Sequence, residues 1–80
     1  MRLIDAIKVQ AQCELDNELK KLPLEKKKRL AKLVEERVPS GLAPIEDWNE
    51  VISCFVESEP EKDNKRAKQK LLAILLEEKD

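Results

Sequence analysis

Pro44-Ile45-Glu46-Asp47-Trp48-Asn49-Glu50-Val51-Ile52-Ser53-Cys54-Phe55-Val56-Glu57 is the stretch on which the fold turns. Its apolar residues Ile45, Trp48, Val51, Ile52, Phe55 and Val56 recur at spacings of three and four. At 100° per residue they gather into an arc about 140° wide, the pattern of a helix with one core-facing stripe. Pro44 suits a first helical position, and Glu46 and Asp47 suit the positive end of a helix, so a helix is expected over residues 44–57.

Working outward, the loop Pro39-Ser40-Gly41-Leu42-Ala43 precedes this helix and carries the lone glycine, at a place where a left-handed residue commonly closes the helix before it. That earlier helix is expected over about residues 23–38, with Leu30, Leu33, Val34 and Val38 on one face and Pro39 stopping it. Further back, Leu3, Ile7, Ala11, Leu15 and Leu19 fall at a spacing of four, joined by Ile4 and Leu22, and place a first helix over about residues 2–21. On the C-terminal side, Ser58 followed three residues later by Glu61 reads as a capping box opening a fourth helix over 59–78. There Ala67, Leu71, Leu72, Ile74, Leu75 and Leu76 cover an arc of about 200°.

The composition agrees with helices throughout. The chain has 80 residues, one glycine, no tyrosine, one tryptophan and one phenylalanine, and no run of strict alternation from which to build a sheet. Leu, Ile, Val and Phe make up 23 of the 80 residues, enough apolar content to fold, and the net charge of −1 adds little self-repulsion. The expected fold is all-α: a compact four-helix bundle-like domain, single over residues 1–80, with antiparallel neighbours joined by short loops. A domain this small hides roughly 60% of the surface its unfolded chain exposes. Self-association or a partner would therefore add to a thin margin of stability.

Catalysis is not expected. The chain has no histidine, no Ser, Thr or Cys in a recognisable nucleophile context, no glycine-rich phosphate loop and no carboxylate pair inside an apolar stretch. A di-metal bundle site would need Glu-x-x-His pairs, which this composition cannot supply. No cofactor, metal or small-molecule substrate is implied. Cys13 and Cys54 stand far apart, neither a disulfide framework nor a paired-ligand motif, which fits a reducing, cytoplasmic setting. The longest apolar run, Leu71 to Leu76, is far short of the roughly 20 residues needed to span a bilayer, so no membrane role is expected.

Charge is the most informative feature. From Lys20 to Lys32 the cations Lys20, Lys21, Lys26, Lys27, Lys28, Arg29 and Lys32 face only Glu25. From Gly41 to Glu61 the acids Glu46, Asp47, Glu50, Glu57, Glu59 and Glu61 meet no base. The near-zero net charge is thus a cancellation between segments. Within the chain, Glu25 with Arg29 and Lys32 with Glu36 stand at helical spacing, and Glu57 and Glu59 are expected to approach Lys26 to Lys28. A second basic strip, Lys62, Arg66 and Lys70, repeats at a spacing of four.

Two short patterns, the basic run Lys26-Lys27-Lys28-Arg29 and the Leu-x-x-Leu-Leu match at Leu72 to Leu76, are common by chance and read as a solvated helix turn and a core stripe. The leading expectation is a small non-catalytic interaction module, an adaptor, inhibitor or regulatory subunit that binds a protein partner or a second copy of itself. Its candidate apolar interface is Val9, Cys13, Leu72 and Leu76, because the first helix carries a second apolar strip and the last an over-wide one. The alternative is a nucleic-acid-associated factor contacting phosphates through Lys26, Lys27, Lys28, Arg29, Lys62, Arg66 and Lys70.

Overall fold

The computed structural model describes residues 2–39 and 41–77, with no side-chain placement for Asp16. Its regular elements are all helical: α1 (Leu3–Ala11), α2 (Asp16–Leu19), α3 (Leu24–Arg37), α4 (Ile45–Ser53) and α5 (Asn64–Leu76). The packing is a closed ring in which α1 lies against α3 and α4, and α5 lies against the same two. The molecule measures 28 × 28 × 22 Å, so it is about as wide as its longest helix is long.

The expected first helix over 2–21 is two helices. A continuous helix of that length would run about 30 Å, longer than any dimension of the molecule. Instead α1 stops at Ala11 and Gln12 turns left-handed, with φ 58° and ψ 35°. The Gln12 amide donates to the Val9 carbonyl at 3.2 Å and the Cys13 amide to the Lys8 carbonyl at 2.9 Å, the two bonds of a Schellman closure. The residues that follow include Cys13, Asp16 and Asn17, all weak helix formers. Leu15, which the spacing of four assigns to the buried stripe, is consequently 63% exposed, whereas Leu19 on the short α2 is fully buried.

The second expected helix corresponds to α3 within one residue at each end. Val38 leaves helical geometry at φ −121° and ψ 89°, since the ring of the following Pro39 disfavours the helical region for it. Gly41 does not supply a left-handed cap, because Gln12 is the positive-φ residue among those described.

The stripe of 44–57 is helical as far as Ser53. In the last turn the Ser53 hydroxyl and the Cys54 thiol both donate to the Glu50 carbonyl, at 2.7 and 3.3 Å, side-chain bonds that compete with continuation of the helix. Phe55 still closes onto the core at 8% exposure. The chain then leaves the helix, and Pro60 keeps Glu59 out of helical geometry.

The capping box at Ser58 and Glu61 does not form, and the fourth expected helix starts at Asn64 rather than 59; the last residues of that expectation, 78–80, lie outside the described set. Asp63 is the cap, its carboxylate accepting from the Lys65 amide at 3.2 Å. The Glu61 amide goes elsewhere. It donates to Asn49 Oδ1 at 2.9 Å, while Asn49 Nδ2 donates to the Glu61 carbonyl at 3.0 Å. This two-bond clasp draws the connection 54–63 back along α4.

Helix directions follow. Leu3 shares a depression with Val38, and Gln10 shares one with Lys26 and Leu30, so α1 and α3 are antiparallel. Leu24 and Lys27 meet Ile74 and Glu77, so α3 and α5 are antiparallel as well. By contrast α5 begins at the end where α4 begins, since the clasp holds Glu61 beside Asn49 while Phe55 and Val56 lie near Ile74.

The core is Leu3, Ile4, Ile7, Ala11, Leu19, Leu30, Ala31, Val34, Ala43, Trp48, Val51, Ile52, Cys54, Phe55, Ala67, Leu71 and Leu75, and among the described residues no polar or charged residue is buried with it. Each aliphatic side chain enclosed there contributes about 1.5–3 kcal/mol relative to exposure. Trp48, at no exposure, is the largest fully buried side chain.

Replacing Asn49 with Ala is expected to lower stability by about 1–3 kcal/mol, since it removes two hydrogen bonds and strands the Glu61 backbone groups; a urea titration measures it. Gln12→Gly is expected to raise stability by about 1 kcal/mol by removing the left-handed penalty, read as a higher urea midpoint at unchanged slope.

Candidate functional site

The surface divides by charge along the helix directions. At one end, the starts of α1 and α4 meet the end of α3. Arg2 there pairs with both Asp47, at 3.6 Å, and Glu50. Midway along α5, Lys70 reaches Glu61 at 3.7 Å and donates to the Glu59 carbonyl at 3.3 Å. Three of the acids in the base-free stretch are therefore answered by cations from outside it.

At the other end several cations around the start of α3 have no such answers among the described residues. Among the described residues, no ion pair joins Lys20, Lys21, Lys26, Lys27, Arg29 or Lys32 to a carboxylate. The expected pairs Glu25 with Arg29 and Lys32 with Glu36 do not close to contact. Of these, Lys26 and Lys27 sit in the first turn of α3, at the positive end of its macrodipole, which costs about 0.3–1 kcal/mol for each exposed charge.

Two depressions flank this basic end. One lies between the end of α1 and the first half of α3, lined by Gln10, Gln12, Lys26, Arg29, Leu30 and Leu33. The other lies where the start of α3 meets the ends of α4 and α5, with Leu24, Phe55, Val56 and Ile74 as its apolar part and Lys20 and Lys27 on its edge. A third, apolar depression sits at the opposite end around Leu3, Val38, Leu42 and Ala43.

Of the candidate apolar interface, Val9 is 64% exposed and Leu76 48% exposed. Cys13 and Leu72 are half-buried and packed against the core. These four do not form one patch, because α1 and α5 stand across the ring from each other, each packed on α3 and α4. Leu15, Leu24 and Leu42 are exposed apolar side chains that helical periodicity missed. Leu15 escaped because its spacing matched a stripe that the chain interrupts at Gln12.

The candidate phosphate contacts are also divided. Lys26, Lys28 and Arg29 are exposed and Lys27 is half-buried at the start of α3. Lys62 and Arg66 lie at the start of α5, roughly 15–20 Å away along that helix. Lys70 is engaged with Glu59 and Glu61.

Among the described residues, no group of three His, Cys, Asp or Glu side chains is placed to hold a metal ion. No described helix is long and apolar enough to cross a membrane. No family model, curated protein or solved structure matches the chain.

Both cysteines are free thiols. Burial pushes the Cys13 pKa above the ordinary thiol value, the Glu18 carboxylate adds to the rise and Lys26 opposes it. The thiolate, which is the nucleophile, is therefore suppressed at neutral pH. The proton is held more tightly in the folded chain than in the unfolded one. Any stability this contributes is complete below the ordinary thiol pKa and is lost as pH rises through the folded value. Native protein at neutral pH is expected to label slowly at Cys13 with a thiol reagent, and Cys54, 6% exposed, only on unfolding. Mass spectrometry of labelled peptides across alkaline pH measures both.

Proposed function

We propose that this protein is a small non-catalytic interaction module that works by binding another protein surface, in its simplest form a second copy of itself. The observation that carries the reading is the set of large apolar side chains left outside a core that is already closed. Val9 and Leu15, at 64% and 63% exposure, stand on either side of the turn at Gln12. Leu24 and Leu76, at 38% and 48%, belong to the helix ends α3 and α5. Single exposed apolar residues are ordinary. Here one of them, Leu24, stands beside Lys20 and Lys27, which have no carboxylate in contact among the described residues, and apolar area with complementary charge is what sets both the affinity and the orientation of a docking surface. Free thiols suit a reducing compartment such as the cytoplasm.

The alternative of a nucleic-acid factor has weaker support. Its seven cations do not form one track, and Trp48 and Phe55, the aromatics available for stacking, are 0% and 8% exposed, which leaves single strands no stacking platform.

Sedimentation velocity over a wide concentration range is expected to show a concentration-dependent rise in mass that is lost in the Val9→Ser, Leu15→Ser double variant. A strict monomer at high concentration, with no partner cross-linked in the native host, overturns the reading.

A further inference from the structure

We propose that the depression formed by the start of α3 and the ends of α4 and α5 binds an acidic amphipathic helix of a partner protein. This rests on the interaction reading above and specifies the chemistry of the partner. The apolar part of the site is Leu24, Val56 and Ile74, with Phe55 closing it against the core. Leu24 is 38% exposed, which leaves apolar area to cover. The edge carries Lys20 and Lys27, and neither ammonium contacts a carboxylate among the described residues. Glu77, the acid on the α5 side, is itself engaged within the chain.

Comparison with the opposite end singles out this depression. Around Leu42 and Val38 the acids Asp47 and Glu50 have a cation in contact, Arg2. At the α3 end Lys20 and Lys27 have no carboxylate in contact among the described residues, and Lys21 and Lys26 add to the same field next to the positive end of a helix macrodipole. A ligand that docks there gains by bringing carboxylates to the edge and apolar side chains to the floor. An amphipathic helix does both, with apolar residues at i, i+3 and i+7 and acids flanking them. Nucleic acid supplies the charge but leaves the floor uncovered, and the buried aromatics offer its bases nothing to stack on.

The test is a fluorescence anisotropy titration of the full chain against a four-turn synthetic peptide with Leu at i, i+3 and i+7 and Glu flanking. Its controls are the same peptide with Lys in place of Glu, a single-stranded oligothymidylate, and phosphatidylcholine vesicles containing phosphatidylserine. The acidic peptide is expected to bind, to weaken at least about tenfold from low to high salt, and to weaken by a similar factor with the Lys20→Glu, Lys27→Glu double variant, whose helical circular dichroism is unchanged. Ile74→Asp is expected to abolish binding by either route, and Ile74→Ala, the milder change, to weaken it in a chain that still folds.

The proposal is overturned if the acidic peptide does not bind, if the Lys peptide binds equally well, if the charge reversal has no effect, or if the oligonucleotide or the vesicles bind more tightly than the peptide. Peptide failure with self-association through Val9 and Leu15 intact removes this site alone. Failure of both removes the interaction reading with it.

Discussion

The clasp between Asn49 and the backbone of Glu61 is the constraint on which the arrangement of this chain depends. An extended connection has unpaired backbone groups that must find partners where they approach the protein. A carboxamide, with a donor and an acceptor side by side, satisfies one amide and one carbonyl of the same residue. By pinning Glu61 beside the middle of α4, it returns the chain to the end where α4 begins before α5 starts. The helix α5 then lies in the groove between α3 and α4, with Ala67, Leu71 and Leu75 fully buried. The end of α5 thereby meets the start of α3. The depression with lysines on its edge is a product of that meeting and would not exist if α5 simply turned back antiparallel to α4.

The Schellman closure at Gln12 has the complementary role at the other side of the ring. It limits α1 to a length that matches α4, and it lets α2 swing Leu19 into the core. It also leaves Leu15 outside. A single left-handed residue thus converts what would be one buried stripe into part core and part exposed surface. The cost of that conformation in a residue other than glycine is on the order of 1 kcal/mol, small against the burial of Leu19 and of the α1 face that it permits.

Much of this was legible beforehand. The stripe from Ile45 to Val56 marks a core-facing helix, and Trp48, Val51, Ile52 and Phe55 are all buried. Leu71 and Leu75 are likewise core residues. The interruptions were less visible because they are carried by residues without a strong local signal. Gln12 is not glycine, and the spacing of four runs on past it to Leu15. Ser58 and Glu61 match a capping box in sequence, but Asn49 captures the Glu61 amide and Asp63 caps the helix instead. The candidate surface was half legible: the basic character of the α3 start is plain from Lys26 to Arg29, but its separation from Lys62 and Arg66 depends on helix direction.

The sequence by itself determined that the chain is helical, most of the residues that form the core, and that charge is segregated along it. Those properties follow from local propensity and from periodicity, which act over one or two turns. Only the tertiary structure decided where the first helix breaks, in which direction α5 runs, and which cations, among the described residues, meet a carboxylate. The break is closed by local bonds at Gln12 but compensated by the burial of Leu19 in the core. The direction of α5 depends on contacts between residues twelve or more apart, such as Asn49 with Glu61, and the state of the cations on distances between opposite charges, which spacing along one helix does not fix. The same local pattern that predicted four helices was therefore compatible with several surfaces, and long-range hydrogen bonding and packing selected one.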